Sequence, residues 1–571
     1  METMTYYALI TSRFALILLS LAVIIRCIRS MLSEKYEPEV WAYMRVGSSN
    51  IPITHWENLI GRSKSADILL DREGVSRVHA VLVRSDKGVW KIYDIFSRGG
   101  VWVNSFPVIE TGTVLQSGDS INLGGTNVRF LELKEAKRME LEGKRTVAGR
   151  RVSPALTLFE LTVFQAFLLL QHVINAAEGT APAIALGFFA VIVAEWVLYN
   201  FMRIIGRSGF EVETLGFYLT TLGVSCTASS VSGDMYKLIL LILVGVLLFL
   251  LMGWWLRNLR RTSFMRLPMA VGALALLAVN VALGYSANGS QNWLMIGGFS
   301  FQPSELVKVA YVYVGAAALD NLYRRKNLIV FIAFSAVCVM ALAVIGDFGT
   351  ALVFFISFLV ISFMRSGSIA TVFLAVSGAG LAGFLAVSVK PYIAQRFASW
   401  GHVWEDVYDT GYQQTRAMSA AASGGLFGKG AGSGWLHEIT AANADMVFAM
   451  LCEELGLIVA LCAVAAILVL AFFTFRSVRN ARSGFYAISA CAAVTMMLIQ
   501  LSLNVFGSLD ILPFTGVTFP FVSHGGTSLL SCWMLLAFIK GADNRKGASF
   551  AVRGAEKYID ADKLSHKEDG K

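Results

Sequence analysis

The stretch KLILLILVGVLLFLLMGWWL, residues 237–256, decides the fold of this chain, and Arg257, Arg260 and Arg261 follow it at once. About 20 consecutive apolar residues are needed to cross the hydrocarbon core of a bilayer as a helix. The stretch is therefore predicted to be a transmembrane helix. Runs of the same kind recur at 6–28, 157–176, 183–203, 212–232, 267–285, 304–320, 328–345, 350–365, 369–389, 446–474, 484–506 and 520–540.

The composition agrees with a polytopic all-α membrane protein. Of the 571 residues, 56% are hydrophobic and only 15% are charged, whereas soluble domains carry about 25% charged residues. A net charge of +9 would suggest nucleic acid in a soluble protein. Here Lys and Arg lie in short loops between apolar runs, where they orient a membrane protein, so no nucleic-acid partner is expected.

The first apolar run, 6–28, is predicted to be a retained N-terminal anchor. Arg26 and Arg29 flank its downstream end and no small-residue cleavage site follows, unlike a secretion signal. The seven cysteines are scattered through apolar runs, without a CxxC pair or a Cys/His cluster. Neither a zinc site nor a disulfide framework is therefore predicted.

Residues 36–135 have a different pattern from the rest of the chain. Short alternating segments, such as HAVLVRS, VWKIYDI and NVRFLEL, are separated by turn residues. Many short strands at regular spacing predict a β-sandwich. A charged linker, 132–151, follows it and is expected to lie along an anionic leaflet.

Charges in the loops predict the orientation. Lys and Arg fall in alternate gaps between the apolar runs, as the positive-inside rule requires. This alternation places the sandwich and the C-terminal tail in the cytoplasm. It also places the N-terminus and two long loops, 285–303 and 390–445, outside the cell membrane.

Two sequences in the sandwich resemble the forkhead-associated (FHA) domain, a reader of phosphothreonine peptides. They are GRSKSADILLDREGVSRVHA, residues 61–80, and IYDIFSRGGVWVN, residues 92–104. The resemblance implies that Arg62 and Ser76 contact the phosphate, that Arg77 assists, and that His79 braces the loop. A phosphate needs such charge-assisted donors in fixed geometry. Without the motif, each would be read as a solvated surface residue.

One departure from the FHA pattern bears on binding. Gly99 stands where the family usually carries an asparagine that holds the peptide backbone, and Arg98 beside it is a candidate to compensate. If the pocket does not bind phosphopeptides, the domain is expected to be a docking module. If it does, the partner is a phosphothreonine protein of a Ser/Thr kinase pathway.

Four blocks in the apolar region resemble the SEDS family of cell-wall glycan polymerases, over residues 210–544. They are QNWLMIGGFSFQPSELVK (291–308), GDFGTA (346–351), the loop of 396–456 with SGGLFGKG and NADMVFAMLCEELG, and LPFTGVTFPFVSHGGTS (512–528). The resemblance implies a ten-span core, with about three extra spans outside it. It also implies a peptidoglycan glycosyltransferase that joins lipid II units, with a class B penicillin-binding transpeptidase as partner.

Asp445, where the long loop enters a helix, occupies the position of the family's essential aspartate. The resemblance implies that it is catalytic, although a helix-capping aspartate is the ordinary alternative. Asn443 replaces a usual histidine beside it. Candidate substrate-binding residues are Trp293, Arg396, Arg416, Lys429 and Glu454, and an interfacial belt position is an equal alternative for Trp293.

Three further ionisable residues at membrane depth are assigned supporting roles, because such groups are costly unless they are paired or functional. Glu305 and Lys308 lie three residues apart on one helix and are expected to pair. Asp347 is expected to cap a helix. No dedicated metal-ligand cluster is seen, but a divalent cation, Mg²⁺ or Mn²⁺, is a candidate to share the neutralisation of pyrophosphate.

Two alternatives stay open: a flippase for the lipid-linked precursor, and a phospho-dependent membrane scaffold with an inactive body. A role in elongation, division or sporulation is not distinguished. The predicted organisation is an anchor (1–35), an FHA-like domain (36–140), a basic linker with two extra helices (141–209), the core (210–544) and a cytoplasmic tail (545–571).

Overall fold

The computed structural model describes residues 2–33, 38–63, 66–85, 88–287, 290–296, 299–319, 325–366, 369–389 and 398–549. The α-helices are α1 Glu2–Ser33, α2 Glu135–Lys144, α3 Pro154–Asn175, α4 Ala181–Ile204, α5 Glu211–Ser230, α6 Met235–Trp255, α7 Leu259–Phe264, α8 Arg266–Leu283, α9 Pro303–Leu319, α10 Arg325–Ile345, α11 Phe348–Ser366, α12 Ile369–Val389, α13 Tyr412–Gly424, α14 Ala442–Asp445, α15 Val447–Leu455, α16 Leu457–Val478, α17 Gly484–Ser508 and α18 Gly526–Ala542.

Helices coincide with all of the predicted apolar runs. Among the described residues, eight helices are long and apolar enough to cross a membrane, and two shorter apolar helices span Phe348–Met364 and Gly526–Ala542. The count of thirteen spans therefore stays a prediction.

The run 446–474 is not one continuous helix, so its predicted start at residue 446 was wrong: the helix of this run that is long enough to cross a membrane is α16, Leu457–Val478. Gly456, with φ +87°, separates α15 from α16. An L side chain rarely adopts this conformation, and a Cβ at Gly456 would lie 2.6 Å from the backbone nitrogen of Gly428. The break therefore leaves α15 as a short helix beside the long loop.

Helix α5 lies at the centre of the helical bundle. Every residue from Glu211 to Ala228 is buried. The hydroxyls of Thr214, Thr220 and Thr221 donate to carbonyls one turn earlier, and the Thr221 hydroxyl also accepts from Gln165 of α3. Burial on all sides explains how a helix with many small and polar residues fits inside the bundle.

The β-sandwich has the strands β1 Ala42–Val46, β2 Ser49–Ile53, β3 Glu57–Gly61, β4 Ile68–Leu69, β5 Ala80–Arg84, β6 Trp90–Asp94, β7 Val101–Val103, β8 Phe106–Pro107, β9 Thr113–Leu115, β10 Ser120–Leu123 and β11 Thr126–Glu132. They form a sheet of order β2-β1-β11-β10-β7-β8 and a sheet of order β4-β3-β5-β6-β9. Alternate residues of β11 point inward, and Phe130 packs against Trp90 between the sheets, 5.5 Å between ring centroids. The predicted β-sandwich is confirmed.

A small antiparallel sheet precedes α9. Its strands are β12 Tyr285–Ala287, β13 Ser290–Ile296 and β14 Phe299–Phe301, with β13 in the middle.

The sandwich is docked on the loop between α16 and α17. The Nε of Arg482 donates to Oε2 of Glu39 at 2.6 Å, and both side chains are buried. The backbone N–H of Trp56 donates to the Arg482 carbonyl at 2.6 Å, and His55 Nδ1 lies 2.7 Å from the Ala481 carbonyl oxygen. This contact fixes the sandwich at one end of α17.

The segment after α18 belongs to the packed body rather than to a free tail, as far as residue 549. Arg545 pairs with Glu211 at 2.9 Å, and Lys540 pairs with Glu213 at 3.1 Å, all four side chains being buried. Both carboxylates lie in the first turn of α5, where negative charge also suits the helix dipole. The Nζ of Lys546 donates to the Glu142 carbonyl at 2.8 Å, which ties the linker helix α2 to the same segment.

Removing one member of the Glu39–Arg482 pair is expected to undock the sandwich. Glu39→Gln leaves a buried guanidinium without its counter-charge, a change that costs about 3–5 kcal/mol in comparable pairs. Hydrogen exchange of the purified full chain should show faster exchange in residues 38–46 and 479–483.

The double variant Glu39→Leu/Arg482→Leu should recover most of the protection, because no uncompensated charge stays buried. Lys144→Ala, which breaks an exposed pair with Glu140, serves as the control and should exchange like the native chain. Unchanged exchange in Glu39→Gln would contradict the docking role.

Candidate functional site

Asp445 ends the four-residue helix α14, at a tight turn of the long loop. Ala441, with φ +63°, starts this turn. The Asp445 side chain is partly exposed. It lies against Gly516, since a Cβ at that glycine would be 3.4 Å from Asp445 Oδ2. The third and fourth sequence blocks therefore meet at Asp445.

The backbone around Asp445 is held from both sides. Asn504 of α17 donates to the carbonyls of Asp445, at 3.1 Å, and of Val517, at 2.9 Å. The hydroxyl of Ser523 donates to the Ala444 carbonyl at 2.5 Å, and the backbone N–H of His524 donates to the Asn443 carbonyl at 2.8 Å. The position of the aspartate is thus set by α17 and the 516–524 loop.

The adjacent carboxylates of Glu453 and Glu454 bind the glycine-rich loop, residues 425–436. Glu453 accepts from the backbone N–H of Trp435 at 3.1 Å and of Leu436 at 3.0 Å. Glu454 Oε2 accepts from the backbone N–H of Gly432 at 3.0 Å and from the hydroxyl of Ser229 at 2.7 Å. Both carboxylates are almost fully buried, so they fix the loop on α15. The contact of Glu454 with substrate stays a prediction.

The two described basic candidates differ in their surroundings. Lys429 Nζ lies 3.0 Å from Glu453 Oε1, with one third of the lysine side chain exposed. The Arg416 guanidinium on α13 lies 5.3 Å from the centroid of the Tyr412 ring and is partly exposed. Both are therefore available to a ligand that displaces water from this loop. Arg396 lies outside the described residues.

Asp347 caps α11, as predicted, and also joins two sequence blocks. Its Oδ1 accepts from the backbone N–H of Thr350 at 3.0 Å, and its Oδ2 accepts from Asn292 at 3.3 Å and from Gln302 at 3.5 Å. Trp293 follows Asn292 in β13, opposite Tyr285, and is partly buried. The acid thereby anchors the strand that carries the tryptophan.

Glu305 and Lys308 form the predicted ion pair on α9, at 2.6 Å and with both side chains buried. The hydroxyl of Ser531 on α18 donates to Glu305 Oε2 at 2.8 Å. The pair therefore joins α9 to α18.

Asp234 lies beside His524 of the fourth sequence block and was not predicted from the sequence. Its Oδ2 lies 3.7 Å from His524 Nε2, and its Oδ1 pairs with Lys237 at 2.7 Å. The other ring nitrogen of His524 lies 3.2 Å from Thr227 Oγ1. Asp234 directly precedes an apolar run, which is the signal that could have found it. Within the described ranges, no three His, Cys, Asp or Glu side chains come close enough to hold a metal ion.

The candidate phosphate-binding loops of the sandwich are organised around His79, which is fully buried. Its Nδ1 accepts from the backbone N–H of Ser76 at 2.9 Å, and its Nε2 lies 3.0 Å from the Gly100 carbonyl oxygen. The Ser76 hydroxyl accepts from the backbone N–H of Arg98 at 3.1 Å. The predicted bracing role of His79 is confirmed.

Three arginines surround this loop with exposed side chains: Arg62, Arg77 and Arg98. Gly99 is required by packing, because a Cβ there would lie 2.5 Å from the Cα of Gly124 and 2.8 Å from the carbonyl oxygen of Gly74. An asparagine would not fit at this position without a shift of the backbone.

Fold and site together define a class: a multi-pass membrane protein with an FHA domain docked at one end of its helices and an aspartate-bearing loop at the other. The FtsW/RodA/SpoVE family model, described as "Cell cycle protein", matches residues 214–546, and an FHA domain model matches residues 58–124. The chain therefore belongs to the FtsW/RodA/SpoVE family. Helices α1, α3 and α4 lie outside the matched region.

Relatives and a solved structure are similar to the chain. The probable peptidoglycan glycosyltransferase FtsW of Tolumonas auensis is 32% identical over 48% of this chain and 74% of its own length. The peptidoglycan glycosyltransferase RodA of Mycobacterium tuberculosis is 29% identical over 52% of this chain and 67% of its own. A chain from a solved peptidoglycan synthase complex is 24% identical over 59% of this chain and 98% of its own, with a TM-score of 0.48.

The hold of Glu453 on the glycine-rich loop is open to test. Glu453→Gln removes the charge that pairs with Lys429 and weakens the acceptor for two backbone N–H groups. Hydrogen exchange at Trp435 and Leu436 should speed up by about 10-fold, the effect of losing roughly 1.4 kcal/mol.

Exchange in α5 should stay at the native rate in this variant and serves as the internal control. Equal exchange of the two loop amides in the native chain and in Glu453→Gln would show that the loop is held by other contacts.

Proposed function

We propose that the chain is a peptidoglycan glycosyltransferase that polymerises lipid II into glycan strands, with Asp445 as the catalytic residue. The observation that carries the proposal is the junction of two sequence blocks at a partly exposed aspartate. Asn504 holds the backbone of Asp445, and Ser523 and His524 hold the backbone of the two residues before it. Family membership supports the same reaction, since similar relatives carry the name peptidoglycan glycosyltransferase.

In the proposed reaction, a sugar 4-hydroxyl of one lipid II unit attacks the anomeric carbon of the other. An Asp445 carboxylate oxygen accepts the hydroxyl proton as the new C–O bond forms, because a neutral hydroxyl is a poor nucleophile. The bond from the anomeric carbon to the pyrophosphate oxygen breaks, and polyprenyl pyrophosphate leaves with the electron pair. A single displacement inverts the anomeric configuration.

The leaving group needs its negative charge neutralised more than it needs a proton. Lys429 and Arg416 are assigned this role, because both are partly exposed cations of the segment 390–445. Arg396 keeps its predicted substrate-binding role, and Trp293 is assigned a contact with the sugar or lipid. A bound Mg²⁺ or Mn²⁺ is given no step, because the described residues offer no three-ligand set for it.

The FHA domain is assigned the recruitment or regulation of this enzyme through a phosphothreonine protein. The three exposed arginines around Ser76 support that role. The loop charges support a cytoplasmic location for this domain and the tail, and Asp445 is assigned to the outer face. A class B penicillin-binding transpeptidase is the proposed partner that cross-links the product.

The flippase alternative needs no catalytic aspartate, and the scaffold alternative needs no activity of the membrane body. The setting of Asp445 favours catalysis over both, since α17 and the 516–524 loop hold the backbone of residues 443–445 while the Asp445 side chain stays partly exposed. A capping role alone would not require that arrangement.

Asp445→Asn is expected to abolish polymer formation by the purified chain on lipid II, with a rate loss of about 10²- to 10⁴-fold, the usual contribution of a general base. Asp409→Asn, an exposed aspartate of the same long loop, is the matched control and should keep the native rate. Gel analysis of the glycan product measures both. Undiminished polymer from Asp445→Asn would overturn the mechanism.

Arg62→Ala in the full-length chain is expected to abolish binding of phosphothreonine peptides, because the phosphate loses its charged donor. Arg129→Ala removes an exposed arginine on β11 and should leave affinity unchanged. Calorimetry with a phosphothreonine peptide library, and with the same peptides unphosphorylated, provides the measurement. If the native chain binds none of the library, the domain is a docking module only.

A further inference from the structure

We propose that Gln171 and Asn175 of α3 are positioning residues for the glycine-rich loop and thereby for Lys429. The inference rests on the proposed function for its catalytic consequence. Gln171 and Asn175 form a clamp on the loop. Helix α3 lies outside the region matched by the family model, so the clamp is an addition to that region in this chain.

Gln171 is fully buried and uses both ends of its amide. Its Oε1 accepts from the backbone N–H of Ala431 at 2.8 Å, and its Nε2 donates to the hydroxyl of Ser12 on α1 at 2.8 Å. A buried amide that lacks partners is costly in a membrane helix. The two contacts therefore fix the side chain in one orientation.

Asn175 binds the carbonyl group of Ala431, the residue whose N–H Gln171 binds. Its Nδ2 donates to the Ala431 carbonyl at 2.8 Å and to the Ser433 hydroxyl at 3.0 Å. Positions four apart on a helix lie on one face, so Gln171 and Asn175 together bind both backbone groups of Ala431. This is the pairing that a neighbouring β-strand would supply.

Helix α1 contacts the loop on the other side of Lys429. The Arg13 guanidinium donates to the Gly428 carbonyl at 3.4 Å, and the Phe14 ring lies 5.2 Å from the Phe427 ring between centroids. The loop therefore contacts α1 just before Lys429 and α3 just after it. The N–H of Lys429 itself donates to the Glu453 carbonyl at 2.9 Å.

The loop needs such external contacts because of its composition. Gly428, Gly430 and Gly432 have φ values of +75°, +113° and +76°, conformations that glycine adopts readily and that leave the free chain many alternatives. A loop of this kind loses more conformational entropy on ordering than one of other residues. The clamp reduces that freedom at the residue two positions after Lys429.

The test compares lipid II polymerisation by the full-length native chain, Gln171→Leu and Asn175→Ala. Both variants are expected to lower kcat by about 10- to 100-fold, the scale of a misplaced reacting group, with a smaller change in KM. Gln171→Glu keeps the acceptor for Ala431 and should restore most of the rate. Asn175→Ala keeps the test valid if Gln171→Leu does not fold.

Gln165→Leu is the matched control. Gln165 is a buried glutamine of the same helix that donates to Glu195 and Thr221 and not to the loop. It should lower the unfolding temperature without the loss of kcat. An equal loss of kcat in Gln165→Leu would overturn the proposal, because any damage to α3 would then suffice.

A double-variant cycle separates positioning from general packing. In a Lys429→Ala chain, Gln171→Leu should add little further loss, because residues that act through one group are not additive. Full additivity of the two losses would overturn the proposal.

Hydrogen exchange at Ala431 gives a readout that does not depend on activity. The amide should exchange at least 10-fold faster in Gln171→Leu than in the native chain. If the native chain makes no polymer but this exchange difference appears, the clamp stands and the proposed function fails. If the native chain polymerises and the variants match it in rate and exchange, the clamp alone is overturned.

Discussion

The burial of two adjacent carboxylates, Glu453 and Glu454, is the constraint on which the candidate site depends. A buried carboxylate must be met by hydrogen-bond donors or charges, because its desolvation is otherwise too costly. Lys429, Ser229 and the backbone of residues 432–436 provide them. Satisfying these two groups therefore folds the glycine-rich loop onto α15, which begins two residues after Asp445.

Helix α17 relates the two ends of the molecule. It has 25 residues, so it is about 37 Å long. The loop before it carries Arg482, which binds Glu39 of the sandwich, and its other end carries Asn504, which holds the backbone of Asp445. The FHA domain and the candidate catalytic residue are thus attached to opposite ends of α17. Helices α1 and α3 hold the glycine-rich loop separately.

Much of this arrangement could be predicted from the sequence, because the signals are local. Apolar runs predicted the helices, and alternation predicted the sandwich. The three-residue spacing predicted the Glu305–Lys308 pair, and the place of Asp347 at a helix start predicted its capping role. The helix break within the run 446–474 was not predicted, because hydropathy carries no information on the φ of +87° that Gly456 adopts. The family pattern of the FHA domain flagged Gly99 as a loss, whereas the packing against Gly74 and Gly124 shows why no larger residue fits.

The sequence by itself determined the two-part architecture and the identity of Asp445 as a candidate, because composition, periodicity and motif order are properties of consecutive residues. Only the tertiary structure decided which residues hold the glycine-rich loop and the sandwich in place. Gln171 and Ala431 are 260 positions apart, and Arg482 and Glu39 are 443 apart. Such pairs carry no local signal, because a buried amide or guanidinium selects its partner by proximity in space and by the cost of having none.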